Sequence, residues 1–131
     1  MTASTPTTTA TERLVDAHLA AYCEPDDRQR QQAVARLWNT GGRLVDPPLE
    51  GAGHEGIARQ GALLLSQFPG HRFVRTTQVD THHEFVRYGW RLESPQGAAA
   101  LEGVDLLELD VDGRIGRVVG FFGAQPPALA G

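Results

Sequence analysis

The hydrophobic periodicities predict an α+β fold in which three helices precede an antiparallel meander of strands. Three observations predict it. Up to Pro69-Gly70, apolar side chains recur at the i, i+4, i+7 spacing of helices buried on one face. Beyond that dipeptide the period changes to two, as in strands with one buried face. No repeat and no interior linker divides the 131 residues, a length that suits one domain with a sizeable core. Helices laid across the open side of a curved sheet make a cone, and a cone of this kind holds a pocket.

The elements follow in order. Thr9 with Glu12 three residues later forms a capping box, which predicts a helix to about Tyr22. Its inner face carries Leu14, His18, Ala21 and Tyr22, with Val15 and Leu19 beside them. Pro25 suits the first turn of a second helix, where Asp26 and Asp27 sit at the positive end of the dipole. That helix turns Val34, Leu37 and Trp38 inward and is expected to stop at Gly41-Gly42. Arg43 to Asp46 is a short extended piece, because a residue before proline disfavours helix. Gly51 to Gly56 reads as a loop. A third helix then runs to about Gln67, with Ile57, Leu64 and Phe68 on one face. Four strands are expected at Arg72–Val79, His82–Glu93, Ala98–Asp110 and Arg114–Phe122. Pro95-Gln96-Gly97 turns the middle pair and Asp112-Gly113 the last pair. Residues 1–9, rich in Thr, Ser and Pro, and residues 124–131 read as flexible tails around a domain at 10–123.

Composition excludes several functions. Sixteen acids against twelve bases give a net charge of −4, which argues against nucleic acid as a partner. All twelve bases are arginine, so Schiff-base chemistry on a lysine is excluded. The single cysteine, Cys23, allows no internal disulfide and no cysteine-based zinc site, and it stands among Glu24, Asp26 and Asp27, which disfavour a thiolate. No apolar run approaches the ~18 residues of a membrane span, and the first residues lack the pattern of a signal peptide, so a cytoplasmic protein is expected.

Several polar residues interrupt apolar patterns. One face of the third expected strand reads Leu101, Gly103, Asp105, Leu107, Leu109. If it faces the cavity, Asp105 is desolvated, its pKa rises, and a protonated carboxyl can donate a hydrogen bond to a carbonyl or enolate. If the other face points inward, Asp105 meets solvent. Asp46 is either a general base at the cavity mouth or a residue closing a turn before Pro47-Pro48. His18 is either packed and bonded to a backbone carbonyl or a proton carrier facing both acids. His82 shares strand parity with Glu84, Val86, Tyr88, Trp90 and Leu92, a set expected to face the helices. His83, Phe85, Arg87 and Arg91 fall on the outer face. As strand neighbours, His82 and His83 point to opposite faces, and no His, Asp or Glu set has a recognised metal spacing, so no metal site is expected. Tyr22, Trp38, Phe68, Val86, Tyr88 and Trp90 are candidates for the apolar wall around a ligand.

The element order and three stretches resemble the NTF2-like superfamily, in its SnoaL-like and ketosteroid-isomerase-like branch. The stretches are Leu37-Trp38 through Arg43-Leu44-Val45-Asp46-Pro47, then Gly53-His54-Glu55-Gly56-Ile57, and Gly103-Val104-Asp105 through Asp112-Gly113-Arg114-Ile115 to Phe121-Phe122-Gly123. The resemblance covers about residues 10–123 and implies a cone with helices on a strongly bent sheet. It implies Asp46 as the isomerase's general base and Asp105 as its protonated aspartate. It places His18 where the isomerase has its oxyanion-hole tyrosine, a departure that argues against a steroid as the substrate. The expected activity is cofactor-free proton transfer on a hydrophobic carbonyl compound, with His82 as a proton relay. A ligand-binding or dimerisation module, and an epoxide hydrolase or dehydratase using the same carboxylates, are the alternatives. The resemblance also implies a homodimer through the outer sheet face, near His83, Phe85 and Arg87.

Overall fold

Thr9 accepts the Glu12 amide through its hydroxyl and opens α1, Ala10–Tyr22, as the capping box requires. These coordinates, a computed structural model, describe residues 9–47, 49–123 and 127–130. The expected tails at 1–9 and 124–131 therefore lie mostly outside the described residues, apart from Thr9 and residues 127–130. α2 spans Asp27–Leu37 and α3 Gly53–Gln67. The strands are β1 Trp38–Asp46, β2 Leu49–Ala52, β3 Arg72–Arg75, β4 Asp80–His82, β5 Phe85–Glu93, β6 Ala99–Leu109 and β7 Ile115–Phe122. They form one unclosed sheet in the order β2-β1-β7-β6-β5-β3, with β4 also on β5. Every pairing is antiparallel except β1 with β7, which is parallel. Register shifts at Leu92/Glu93, Glu108/Leu109 and Trp38/Arg43 accompany the bending of the sheet around the helices. No helix among the described residues is long and apolar enough to cross a membrane.

Alternation fixes which sheet face meets the helices. On β5, Val86, Tyr88, Trp90 and Leu92 are buried, and on β6 Gly103, Asp105 and Leu107 are buried, so the face carrying Asp105 points inward. Helix α1 packs on β3, α3 packs on β1 and β2, and α2 lies against both other helices. Val15, Leu19, Val34, Leu44, Ile57, Leu107, Ile115 and Val118 fill the core between the layers.

Five boundaries differ from the sequence expectation: the strand expected over Arg72–Val79 pairs with β5 only as far as Arg75, and four others shift. The cap of α2 is Asp26, so Pro25 lies just outside the helix. The same helix stops at Leu37, because Trp38 turns extended and begins the pairing of β1 with β7. Gly42 then serves as a seat: a Cβ there would lie 2.5 Å from the Trp38 ring. The expected 51–56 loop is divided between β2, which pairs back along β1, and the first turn of α3, with Gly53 at φ 71° making the corner. The long expected strand from His82 is broken at His83-Glu84 into the β4–β5 hairpin.

One buried cation ties the helical layer together. Arg30, 3% exposed, donates from Nε to the Ala58 carbonyl and from Nη1 to the Glu24 carbonyl, and its other nitrogen pairs with Asp27. It joins the end of α1, the start of α2 and the middle of α3. Arg30→Met keeps the stem and strands both carbonyls, each costing about 1–3 kcal/mol when buried and unpaired. Urea unfolding should therefore show a loss of about 2–6 kcal/mol; a loss within error of zero would show that the carbonyls find other partners.

Candidate active site

Pairing across the sheet brings together residues far apart in the chain. On the parallel β1–β7 pair, Leu44 faces Val118 and Val45 faces Val119, which puts Asp46 beside Gly120. Gly120 pairs with Asp105 on β6, and Asp105 pairs with Tyr88 on β5. Asp46, Gly120, Asp105 and Tyr88 thus form one row over four adjacent strands, with the two acids two strands, or roughly 10 Å of backbone, apart. Gly120 makes that row workable. A Cβ there would lie 2.3 Å from Asp46 Oδ1 and 2.4 Å from its Cγ, so the Asp46 carboxyl occupies the space a side chain would fill.

Asp105 is held from β5. The Tyr88 hydroxyl donates to its Oδ2 and the Trp90 indole N–H to its Oδ1, both at 2.9 Å. Gly103, paired with Trp90, again supplies room: a Cβ on it would sit 2.5 Å from the Trp90 ring. Phe73 and Phe122 meet the Trp90 indole edge-to-face at 5.2 and 5.6 Å between centroids. The helical layer closes the other side. His18 packs edge-to-face against Tyr22 at 4.8 Å and Trp38 at 5.6 Å, and Tyr22 meets Phe73 at 5.7 Å.

The buried polar atoms here divide into two groups. Asp105 is satisfied. Asp46 Oδ1, Tyr22 Oη and both ring nitrogens of His18 are buried without a hydrogen-bond partner. Orphaned buried polar atoms are uncommon and costly, and a polar ligand that reached them would relieve that cost. Among the described residues, neither interior acid has an ion-pair partner: Arg87 pairs with Asp80 and Arg91 with Glu93, both on the outer side.

Burial sets the protonation states. Asp46 is pushed up to about 6 by desolvation. Asp105 is pushed up to about 7, first by desolvation and then by the Asp46 charge, against the pull of the Tyr88 and Trp90 hydrogen bonds. Desolvation lowers His18 to about 3, so its imidazole is neutral at ordinary pH. Tyr22 and Tyr88 are held protonated by burial and by both nearby carboxyls. The Cys23 thiol is also pushed up, by burial rather than by its acidic neighbours in sequence.

The fold is shared with known proteins. A SnoaL-like family protein from Agrobacterium tumefaciens strain C58, provisionally designated an isomerase, is 38% identical over 86% of this chain and 96% of its own, with a TM-score of 0.81. The chain belongs to the SnoaL-like family. A SnoaL-like protein from Jannaschia sp. CCS1, provisionally designated a polyketide cyclase, shares the fold at 19% identity, with 84% and 85% of the two chains covered and a TM-score of 0.64. An NTF2-like protein of unknown function from Exiguobacterium sp. 255-15 does so at 14% identity, covering 86% and 99%, with a TM-score of 0.67. No family model and no curated protein matches the sequence.

The geometry of this SnoaL-like chain sorts the expected site residues. Asp46, Asp105 and His18 are all buried, at 8%, 3% and 1% exposure; Tyr88 and Trp90 contact Asp105, and Tyr22 and Trp38 contact His18. Val86 is buried on the same β5 face, one inward position beyond Tyr88 toward the hairpin. Phe68 is only half-buried at the end of α3, and its ring contact is with His71. His82 requires correction. The turn at His83-Glu84 ends the strand whose parity placed it inside, so His82 is exposed on β4 and serves no relay to the buried acids. Gly120 and Phe73 escaped the sequence reading. Gly120 shows only as a small residue two positions after buried Val118, and its meaning depends on the non-local β1–β7 pairing.

The raised acids have a consequence for stability. A carboxyl at about 7 folded against 3.8 unfolded holds its proton more tightly in the fold. That contribution is fully present below pH 3.8 and is lost as pH rises through about 6 for Asp46 and 7 for Asp105. His18 runs the other way: its contribution is present above 6.5 and is lost as pH falls toward 3. Asp105→Asn cannot titrate, and the Tyr88 hydroxyl can reverse to accept from the new amide while Trp90 still donates. Thermal melts should show the variant gaining on wild type from pH 5 to about pH 7 and levelling off above it. A pH-independent gap would remove Asp105 as the titrating group.

Proposed function

We propose that this chain is a cofactor-free acid–base enzyme that moves a proton on a hydrophobic carbonyl compound, in the manner of an isomerase or cyclase. The observation that carries the reading is the unpartnered Oδ1 of buried Asp46, one glycine away along the sheet row from Asp105. Above about pH 6, Asp46 is ionised and takes a proton from the carbon next to the carbonyl. The electron pair of that bond moves onto the carbonyl oxygen. Below about pH 7, Asp105 keeps its proton; its oxygens already accept from Tyr88 and Trp90, which leaves its own O–H to donate to the enolate. Neutral His18 adds an N–H donor. Asp46 then returns the proton to a different carbon, or the enolate carbon attacks a second carbonyl and the proton goes to the new alkoxide. The provisional isomerase and cyclase designations of the similar proteins support this class of reaction.

The test uses a panel of small ketones and 1,3-dicarbonyl, polyketide-like compounds, with binding first read by thermal shift. A ligand at 100 times its dissociation constant adds about 2.7 kcal/mol, a visible change. On any compound turned over, Asp46→Asn should lower kcat at least ~100-fold with the fold retained. The kcat/KM profile should be bell-shaped, rising through about 6 and falling through about 7. Undiminished turnover in Asp46→Asn rejects the mechanism. Compounds that bind and are never converted would instead favour a ligand-binding module, a reading helped by the dense set of Trp38, Tyr88 and Trp90 around the acids.

We also propose a homodimer through the outer sheet face. Leu106 and Phe121 are exposed there at 39% and 65%, on adjacent strands with half-buried Val104 and Val119 between them. Sedimentation should find twice the chain mass for wild type and a shift to monomer for the Leu106→Glu, Phe121→Glu double variant; a monomeric wild type ends this proposal.

A further inference from the structure

The β4–β5 turn brings together two groups that the interior chemistry does not use. His82 ends β4, His83 and Glu84 make the turn, and Phe85 opens β5. His83 takes φ 52° and is the one non-glycine residue with positive φ among the described residues. Such a position ordinarily falls to glycine, asparagine or aspartate, because a Cβ is costly in the left-handed region. Leaving the extended backbone at His83 cancels the strand alternation that would send the neighbouring side chains apart. The two exposed imidazoles converge instead, with Nδ1 atoms 3.1 Å apart and rings nearly perpendicular, at 86°. As the pair stands, one Nδ1–H donates to the other Nδ1.

We infer that His82 and His83 form a two-histidine chelate for a late first-row divalent transition metal, binding Cu(II) in preference to Ni(II) and Zn(II). Metal–imidazole bonds of about 2.0–2.1 Å set the nitrogen separation at roughly 2.9 Å for a right angle and 3.3 Å for a tetrahedral one. The observed 3.1 Å lies between these values, so small ring rotations reach either geometry. Imidazole nitrogen suits these ions, and Cu(II) leads the affinity order. No third His, Cys, Asp or Glu joins the pair among the described residues, and the Asp80 carboxylate is engaged by Arg87, so water completes the coordination. On binding, the donating ring moves its proton from Nδ1 to Nε2. Both Nδ1 lone pairs then face the metal, and no net proton leaves a neutral pair. The strained backbone at His83 is thereby matched to a specific geometric result, the convergence of two lone pairs that regular strand structure would separate.

The experiment is a calorimetric titration of chelator-stripped full-length protein with Cu(II), Ni(II) and Zn(II) salts near neutral pH, with electron paramagnetic resonance of the copper form. Expected are one Cu(II) per chain with two coordinated imidazole nitrogens, and weaker Ni(II) and Zn(II) binding. His82→Gln and His83→Gln should each weaken Cu(II) by at least ~10-fold and remove one nitrogen from the spectrum. His83→Gly keeps the left-handed turn accessible, so it should lose copper without losing thermal stability. His54→Gln and His71→Gln should bind as wild type does. Unchanged Cu(II) binding in either His82→Gln or His83→Gln overturns the proposal, as does a wild type that takes up no more copper than the double variant.

Discussion

The structure depends on desolvating two carboxyl groups on a single row of the sheet. Each alone is a costly thing to bury, and placing a second acid nearby raises the cost further. The chain meets it in two ways. Asp105 receives two hydrogen bonds, from Tyr88 and Trp90, which would favour its charge, while surrounding burial opposes it; the result is a group balanced near neutrality. Asp46 has no such support at Oδ1 and reaches its position only because Gly120 has no side chain. Neighbouring environments of the same sheet thus give two aspartates different readiness to accept a proton.

Glycine is the structural means of this arrangement. Gly103 and Gly120 have φ outside the left-handed region, so conformational freedom is not their role. Each gives up volume to a larger group on an adjoining strand: Gly103 to the Trp90 indole, Gly120 to the Asp46 carboxyl. Adding one methyl at either place would push the corresponding group out of register with its partner. Aromatic edge-to-face contacts from Phe73, Phe122, Tyr22 and Trp38 then fix the rings that carry the polar atoms. The apolar contacts and the polar contacts in this interior are made by the same side chains.

How much of this was legible depended on whether the deciding interaction was local. The capping box at Thr9, the change of period after Pro69-Gly70 and the inward parity of Asp105 among Leu101, Gly103 and Leu107 are all short-range patterns, and the structure follows them. Asp46 was visible because Pro47 marks a strand end. Local periodicity places Trp38 in the second helix, whereas its extended backbone comes from pairing with Ile115, some seventy-seven positions away in the chain. The same parallel pairing gives Gly120 its role. His82 was misplaced because strand parity was carried through His83, whose positive φ no local preference for histidine announces. Resemblance to the NTF2-like superfamily supplied the cone and pointed to the two acids, but it could supply neither the hairpin break nor the glycine seats.

The β1–β7 pairing has one further implication. Among the described residues it is the one parallel ladder in the sheet, and it joins β1, which follows the second helix, to β7. Asp46 gains its neighbour Gly120, and through it Asp105, only when this long-range ladder is closed. The hydrophobic residues flanking the row, Leu44 and Val118 on one side and Leu107 beside them, are among the least exposed in the protein. The same ladder therefore covers these apolar groups and the two acids together. The apolar burial offsets the desolvation of the carboxyls, and the pKa values of Asp46 and Asp105 rise only in the completed fold. The raised pKa values of the two acids are for that reason a property of the β1–β7 pairing, and no isolated fragment containing either acid alone would possess them.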